Sequence, residues 1–235
     1  HGNSSPAISM NNQSAPSSSF AQPHNFQSCV RDIFDTLSPL GLTGLNSPTA
    51  ICGHSLGGRI ALQYSHSLTR QSMEEGNDII IEPPKQTWVL DSVPGQADPS
   101  VHNVLRAISS LPTPIPSKKW LVETLVEEYK LDKGVAMWIA TNLRDRGDKS
   151  FDWIFDLGIA NELVENFSDQ NFTELVHYVT TSSDPADMNN TTVQLVMAGK
   201  NKLWSEEIVS ELESIPSFQK SSPSSSFRMH TLDKA

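Results

Sequence analysis

A serine flanked by glycines, in Gly53-His54-Ser55-Leu56-Gly57, is the feature of this sequence with the clearest chemical potential. The spacing is G-x-S-x-G, and Gly58 follows directly. An apolar run precedes the motif and helical spacing follows it, so Ser55 is predicted at a sharp strand-to-helix turn, the context in which this motif presents a nucleophile. Such a turn has no room for side chains beside the serine, and we expect Gly53 and Gly57 to supply that room. The alternative is a glycine-rich turn without chemistry.

A nucleophilic serine needs a base, a carboxylate that orients the base, and donors for the developing oxyanion. The helix that begins near Leu56 directs its first amides at the site, so the N–H of Leu56 is predicted to form one half of an oxyanion hole. Asp91 follows the next predicted strand, at the sheet edge where open α/β sheets carry reactive groups. It is the predicted acid, although Asp91 also begins a good turn sequence. The more usual place for the acid, the turn Gly199–Lys202, has no carboxylate.

No histidine in the sequence is a convincing base. His230 lies inside the strand pattern Phe227–Leu232, where a structural strand histidine is the simpler interpretation. His102 and His177 fall in a helical region, His66 lies on the helix after the motif, and His54 is a residue within the motif.

Strand and helix patterns alternate around these residues. Buried strands are predicted at 49–52, 87–90, 192–198 and 227–232, and helices at 26–37, from Leu56 onward and at 204–212. Between 101 and 190 the apolar spacing is helical without a clear strand. Polar loops are predicted at 4–23 and around 74–78. This order predicts an α/β fold with a mainly parallel sheet, divided into a core at 1–100, a helical cap insertion at 101–190 and the returning core at 191–235.

Composition excludes several other classes. Of the 235 residues, 17 are basic and 27 acidic, which gives a formal charge of −10, and the basic residues are dispersed rather than clustered. This argues against nucleic acid as a partner. No apolar run approaches the roughly 20 residues that span a bilayer. Two cysteines are too few for a disulfide framework and favour a reducing, intracellular compartment. No metal-ligand cluster or dinucleotide fingerprint is present, so no cofactor is predicted.

These motifs resemble the α/β-hydrolase superfamily, and more narrowly the branch of alpha/beta-hydrolase domain-containing protein 11 with its bacterial and plant esterase relatives. GHSLGG at 53–58 and VLDSVP at 89–94 are similar to that branch's GHSMGG and VDISP segments. Thr141-Asn142-Leu143, Gly147 and the run 151–157 are similar to its cap motif. The resemblance implies the α/β-hydrolase fold, with Ser55 as nucleophile and Asp91 as acid. It adds the mitochondrion or the plastid as candidate locations.

The resemblance also interprets both ends of the sequence. His1-Gly2-Asn3-Ser4 matches the end of a turn that precedes the nucleophile strand in that branch, and Ala235 matches an alanine that precedes Gly-His there. The resemblance therefore implies a fragment, with earlier strands, the second oxyanion donor and the catalytic histidine lying outside this sequence.

The function predicted from these residues is hydrolysis of a small-molecule carboxylic ester or thioester through an acyl-enzyme on Ser55. Trp120, Trp138, Trp153 and Phe155 are available in the cap to line an acyl pocket, or to pack within the cap itself. A lipase of the GHSLGG type and a non-catalytic binding protein on a hydrolase scaffold are the alternatives. Enzymes of this fold with an aspartate nucleophile are disfavoured by Ser55.

Overall fold

The computed structural model describes residues 23–73, 81–95, 97–181, 191–215 and 226–234. Most of the predicted loop at 4–23, the polar insert around 74–78 and both terminal matches, at 1–4 and at Ala235, lie outside the described residues. The helices are α1 (Phe26–Leu37), α2 (Leu56–Met73), α3 (Pro99–Ser109), α4 (Lys118–Glu127), α5 (Lys133–Ala140), α6 (Leu157–Glu165), α7 (Phe172–Thr181) and α8 (Glu206–Glu213). The strands are β1 (Ala50–His54), β2 (Gln86–Leu90), β3 (Leu143–Asp145), β4 (Phe151–Trp153), β5 (Thr192–Ala198) and β6 (Phe227–Leu232). A short 3-10 helix, Asn166–Asp169, joins α6 to α7.

A four-stranded parallel sheet, in the order β1-β2-β5-β6, forms the centre of the described chain. Its strands are the four apolar runs predicted from the sequence, and this part of the prediction is confirmed. Register pairs His54 with Leu90 and Leu90 with Val196, so β1 and β2 end level with one another, and β5 continues two residues further, to Ala198. The residues that follow these strands therefore meet at one carboxyl edge.

One face of the sheet carries the main hydrophobic core. Val89, Val193 and Leu195 point to this face and are fully buried, together with apolar residues from α2, α7 and α8. The opposite face is more open: Trp88 and Val196 are half-buried, and Cys52 and His230 are exposed. The described sheet is thus well packed on the face that α2, α7 and α8 cover.

The insertion between β2 and β5 has its own core. Residues of α3, α4 and α5 pack around Ile115, Leu121, Leu125 and Ile139, all nearly inaccessible to solvent. Side-chain caps fix where these helices begin: Asp98, Ser117, Asp132 and Asp156 each accept a hydrogen bond from a backbone N–H of the first turn. Capped helices around a separate core make this region a second packing unit above the sheet edge.

The structure corrects the sequence analysis of this insertion in two respects. A short antiparallel hairpin of β3 and β4 lies where only helical patterns were predicted, and α5 ends at Ala140, before Leu143 begins β3. The hairpin turn contains Gly147 and Lys149 with positive φ angles of 87° and 70°. In addition, α7 packs against α2 and β5 and contributes to the main core, although its sequence lies within the predicted cap range 101–190. The domain boundaries themselves remain a prediction.

Candidate active site

Ser55 occupies a strained turn between β1 and α2. Its φ is +52°, a left-handed conformation that is uncommon for a residue other than glycine, and the residue is exposed. Its N–H donates to the carbonyl of Leu90 at 2.9 Å, and its carbonyl accepts from the N–H of Gly58 at 3.0 Å. The turn is therefore fixed from both sides, and strain that is held in place by the surrounding fold is typical of functional positions.

Two glycines make this turn possible, and they are not the pair expected from the motif. A Cβ on Gly53 would lie 2.0 Å from the carbonyl oxygen of Gly57, and a Cβ on Gly58 would lie 2.9 Å from the Cβ of Ser92. A Cβ on Gly57 would meet nothing within 4 Å. The prediction that Gly53 supplies room for the turn is confirmed. The prediction for Gly57 is wrong, because Gly58 is the second glycine at which a side chain would clash.

Leu56 is the first residue of α2, directly after the serine. The first N–H groups of a helix have no acceptor within that helix, and the positive end of the helix dipole lies there. The N–H of Leu56 is accordingly placed where the sequence analysis expected an oxyanion donor, and that role remains a prediction.

Asp91 lies beside Ser55 at the same sheet edge. It directly follows Leu90, the register partner of His54, so Asp91 and Ser55 succeed neighbouring residues of two adjacent strands. Its φ is +45°, and its N–H donates to the carbonyl of Val196 at 2.7 Å. The next residue, Ser92, donates from Oγ to the carbonyl of Ser55 at 2.6 Å. The acid turn and the serine turn are thus joined directly.

Three donors hold the carboxylate of Asp91. Its Oδ1 accepts from the indole Nε1 of Trp204 at 2.7 Å and from the N–H of Ala198 at 3.0 Å, and its Oδ2 accepts from Nδ2 of Asn201 at 3.0 Å. Burial alone would raise the pKa of Asp91, but the hydrogen bonds from Trp204, Ala198 and Asn201 outweigh burial and lower the pKa below its ordinary value. Asp91 is therefore a fixed anion at neutral pH.

Asn201 stands in the turn after β5, the more usual place for the acid. Its Nδ2 donates to Asp91 and its Oδ1 accepts from the N–H of Leu203 at 3.1 Å. Both ends of the amide are engaged, so Asn201 supports Asp91 rather than replacing it. Sequence reasoning missed Asn201 and Trp204 because their contact with Asp91 spans more than 100 residues of chain.

Among the residues that the structure describes, no histidine is hydrogen-bonded to Ser55 or to Asp91. His230 lies within β6, bonds through Nε2 to Oε1 of Gln194 at 2.8 Å and stacks on Trp88. His66 makes an edge contact with Tyr178, and His102 and His177 are exposed on α3 and α7. His54 is also exposed, and its electrostatic interaction helps to lower the pKa of Asp91. The structural interpretation of these histidines stays a prediction.

Arg59 is a further residue that the sequence analysis did not single out. It lies on the first turns of α2, is completely inaccessible to solvent, and its Nη2 donates to the carbonyls of Val93 and Gly95 in the acid turn. Its Nη1 donates to the carbonyl of Phe167 at 2.9 Å. Arg59 stands three residues before Leu62 and so lies on the same buried side of α2. A charged residue at such a position was the signal in the sequence that could have identified it.

An apolar cavity of about 470 Å3 opens beside the serine turn. Leu56 forms one wall, and α3, α5, α6 and the segment before α6 form the others through residues such as Val104, Ile108, Trp138, Leu163 and Phe155. Trp138 and Phe155 therefore lie where the sequence analysis expected pocket-lining aromatics. Trp120 and Trp153 instead pack in the cap core.

The described residues contain no group of three or more histidine, cysteine or acidic side chains arranged to hold a metal ion. None of the helices in this part of the chain is both long enough and apolar enough to cross a bilayer.

Sequence comparisons find no matching protein-family model and no matching curated protein. Solved structures do match. A marine microorganism esterase aligns with a TM-score of 0.59 at 15% identity, over 88% of this chain and 68% of its own. E-2-(acetamidomethylene)succinate hydrolase aligns at 0.57 and 12% identity, over 89% and 66%. The thioesterase domain from the curacin biosynthetic pathway aligns at 0.50 and 14% identity, over 88% and 66%.

This chain spans about two thirds of the length of those structures. At these identities the similarity concerns the fold, and it does not test the narrower resemblance to alpha/beta-hydrolase domain-containing protein 11. The mainly parallel central sheet and its helices match the fold of these structures over 88–89% of this chain. The chain has the fold of the α/β-hydrolase superfamily.

Proposed function

We propose that this chain carries the nucleophile and the acid of a serine hydrolase that cleaves carboxylic esters or thioesters. The observation that carries the proposal is the left-handed, exposed Ser55 at the junction of β1 and α2, joined through Ser92 to the turn of a triply hydrogen-bonded Asp91. The esterase and thioesterase among the structural neighbours support the same reaction class.

The chemistry proceeds in two half-reactions. Oγ of Ser55 attacks the acyl carbon while the base removes its proton, and the N–H of Leu56 donates to the oxyanion that forms. The tetrahedral intermediate then breaks the bond to the alkoxide or thiolate, which leaves with the proton from the base. Water attacks the acyl-enzyme in the same manner and releases the carboxylic acid and free Ser55.

Asp91 has the role of orienting the base and stabilising its protonated form. Such an acid must remain ionised, which the lowered pKa of Asp91 provides. By the resemblance to hydrolases of the alpha/beta-hydrolase domain-containing protein 11 branch, the base is a histidine encoded after β6. Sequencing the transcript past Ala235 tests this: we expect Gly-His, and a stop codon would contradict it.

The nucleophile is tested with a fluorophosphonate probe, which phosphonylates activated serines. We expect the full-length protein, including the residues encoded after Ala235, to be labelled at Ser55, to lose labelling in Ser55→Ala, and to label much more slowly in Asp91→Asn. Ser210→Ala, which removes an exposed hydroxyl on α8, is the matched control and should label like the wild type. Labelling that is absent, or unchanged in Ser55→Ala, would overturn the proposal.

A non-catalytic binding protein on the same scaffold is the second candidate. Among the described residues no histidine is hydrogen-bonded to Ser55, and the apolar cavity beside Leu56 is suited to an acyl chain. Saturable binding of a fatty acid without hydrolysis of its ester, together with no labelling of Ser55, would favour this candidate.

A further inference from the structure

The guanidinium of Arg59 is a buried cation whose hydrogen bonds, among the described residues, all go to backbone carbonyls. Its two terminal nitrogens donate to Val93, Gly95 and Phe167, whereas its Nε has no hydrogen-bond partner there, and its Cζ lies 3.8 Å from the centre of the Phe167 ring. No carboxylate lies within ion-pair distance of it among the described residues. Burial lowers the pKa of Arg59 to about 10, so the group remains charged at neutral pH. Burying a charge without an ionic partner costs desolvation free energy, so we expect Arg59 to have a specific role in the structure.

The three carbonyls belong to the two segments that connect the cap to the core. Val93 and Gly95 follow Asp91 on the way from β2 into the cap. Phe167 lies in the 3-10 helix through which the chain returns from α6 to α7. Arg59 itself lies four residues after Ser55, and its N–H donates to the carbonyl of Ser55 at 3.3 Å. One side chain therefore joins the nucleophile helix, the acid turn and the returning segment of the cap.

Neighbouring contacts strengthen the same junction. Nε2 of Gln170, just beyond the 3-10 helix, donates to the backbone carbonyl of Arg59 and to Oε1 of Gln63, both at 3.2 Å. Gln170 is also buried. The returning segment is thus bound to the first turns of α2 through both the backbone and the side chain of Arg59.

We propose that Arg59 is a positioning residue that sets the relative placement of Ser55, the Asp91 turn and the cap. The inference rests on the proposed function, because it concerns the efficiency of that reaction. A planar guanidinium presents several donors in a fixed arrangement and can serve three carbonyls at once, which the single ammonium of lysine cannot do with the same geometry. Misplacement of reacting groups by about 1 Å lowers rates by about 100-fold.

The first test compares Arg59→Lys and Arg59→Ala with the wild type by the kinetics of fluorophosphonate labelling at Ser55. We expect the maximal labelling rate to fall by about 100-fold while the half-saturating probe concentration changes little, since probe binding does not depend on the junction. Arg31→Ala, which removes an exposed arginine on α1, is the control and should label like the wild type.

Chemical rescue separates positioning from a general role in stability. Millimolar guanidinium chloride should restore labelling of Arg59→Ala by about tenfold or more, because the free cation can occupy the vacated site between the carbonyls. Equal concentrations of sodium chloride or urea should not restore labelling of Arg59→Ala. Guanidinium chloride should not change the labelling rate of Arg31→Ala.

Three outcomes would overturn the inference: folded Arg59 variants that label at the wild-type rate, slow labelling that guanidinium does not restore, or variants that all fail to fold, which would make Arg59 a stability residue. Labelling of the wild type at Ser55 shows whether a negative result concerns the role of Arg59 or the proposed function. If the wild type is not labelled at Ser55, the proposed function itself is wrong.

Discussion

At the scale of single residues, two backbone strains and a set of hydrogen bonds define the site. Ser55 and Asp91 both have positive φ angles, and each follows a strand whose neighbour fixes its N–H. Strain of this kind amounts to about 1 to 3 kcal/mol per residue and persists only where the surroundings oppose relaxation. Here the sheet, Ser92 and the first turn of α2 supply that opposition.

The serine turn provides a matched pair of glycine substitutions. Gly53→Ala should destabilise the protein by about 3 kcal/mol or more, because its Cβ would overlap the backbone of Gly57, which cannot move without breaking the turn. Gly57→Ala should change stability by no more than about 1 kcal/mol, in the stabilising direction, since alanine favours a helix. Urea unfolding of both variants measures the difference. An equal loss in the free energy of unfolding of the two variants would contradict the described geometry of the turn.

Trp204 offers a prediction about pH. Trp204→Phe removes the indole donor to Asp91 and should reduce the free energy of unfolding by about 1 kcal/mol at neutral pH, less than a fully buried charged hydrogen bond contributes. The folded-state pKa of Asp91 is lowered, so this contribution is present above the unfolded pKa of about 3.9 and is lost as pH falls through the folded-state pKa. The stability difference between wild type and variant should therefore shrink in acid.

Trp120→Phe is the control for that experiment. Trp120 packs in the cap core, and its indole makes no hydrogen bond to a carboxylate among the described residues, so the substitution should change stability by an amount that does not vary with pH. A Trp204→Phe difference that stays constant from neutral pH down into acid would contradict the assigned role of the indole.

At the scale of elements, the cap helices place an apolar cavity against the first residue of α2. Leu56 is shared between the serine turn and the cavity wall, and α5 and α6 supply Trp138 and Leu163 on the other side. An acyl group attached to Ser55 would extend along this wall. The size of the cavity, rather than any charged group, is then expected to select among substrates.

Ala160→Phe tests that selection. Ala160 lines the cavity from α6, and a phenyl ring there should fill part of it. We expect kcat/KM for a long-chain ester to fall by about 10-fold or more while that for an acetate ester changes little. Trp120→Phe alters the cap core without lining the cavity and should leave the ratio of the two substrates unchanged. An equal loss of kcat/KM for both esters in Ala160→Phe would mean that the cavity does not bind the acyl group.

The elements also show how far the sequence could predict this structure. Strands such as β5 were predictable because a buried parallel strand is a continuous apolar run with turn residues at its ends. The hairpin was not, because β3 and β4 have three residues each and carry no measurable period. Asp91 could be placed from chain order, whereas the donation from Trp204 and the direction of the Arg59 side chain depend on contacts between distant segments.

At the scale of the whole molecule, the described sheet is asymmetric in two directions. Its helix-bearing face is closely packed while the other face exposes Cys52 and His230, and β2 and β5 are paired on both sides while β1 and β6 form its edges. Local opening of a structure requires less free energy where backbone hydrogen bonds are fewer and more exposed. The position of a strand in the sheet should therefore determine how fast its backbone amides exchange with solvent.

Amide hydrogen exchange measures this. We expect the amides of β2 and β5 to exchange more slowly than those of β1 by about an order of magnitude or more. The cap helices, with a core of their own, should form a separate group of exchange rates. Protection in β1 equal to that in β5 would contradict the described edge.

The junction at Arg59 has a consequence for how this fold can evolve. The chain leaves the core at Val93 to Gly95 and comes back at Phe167, and a single guanidinium reaches both places. The intervening segment therefore behaves as an inserted module with adjacent ends, and insertions of this kind can change in length and sequence without disturbing the scaffold that accepts them. New ligand preferences could arise by replacing that module alone, while the turns that carry Ser55 and Asp91 are inherited unchanged.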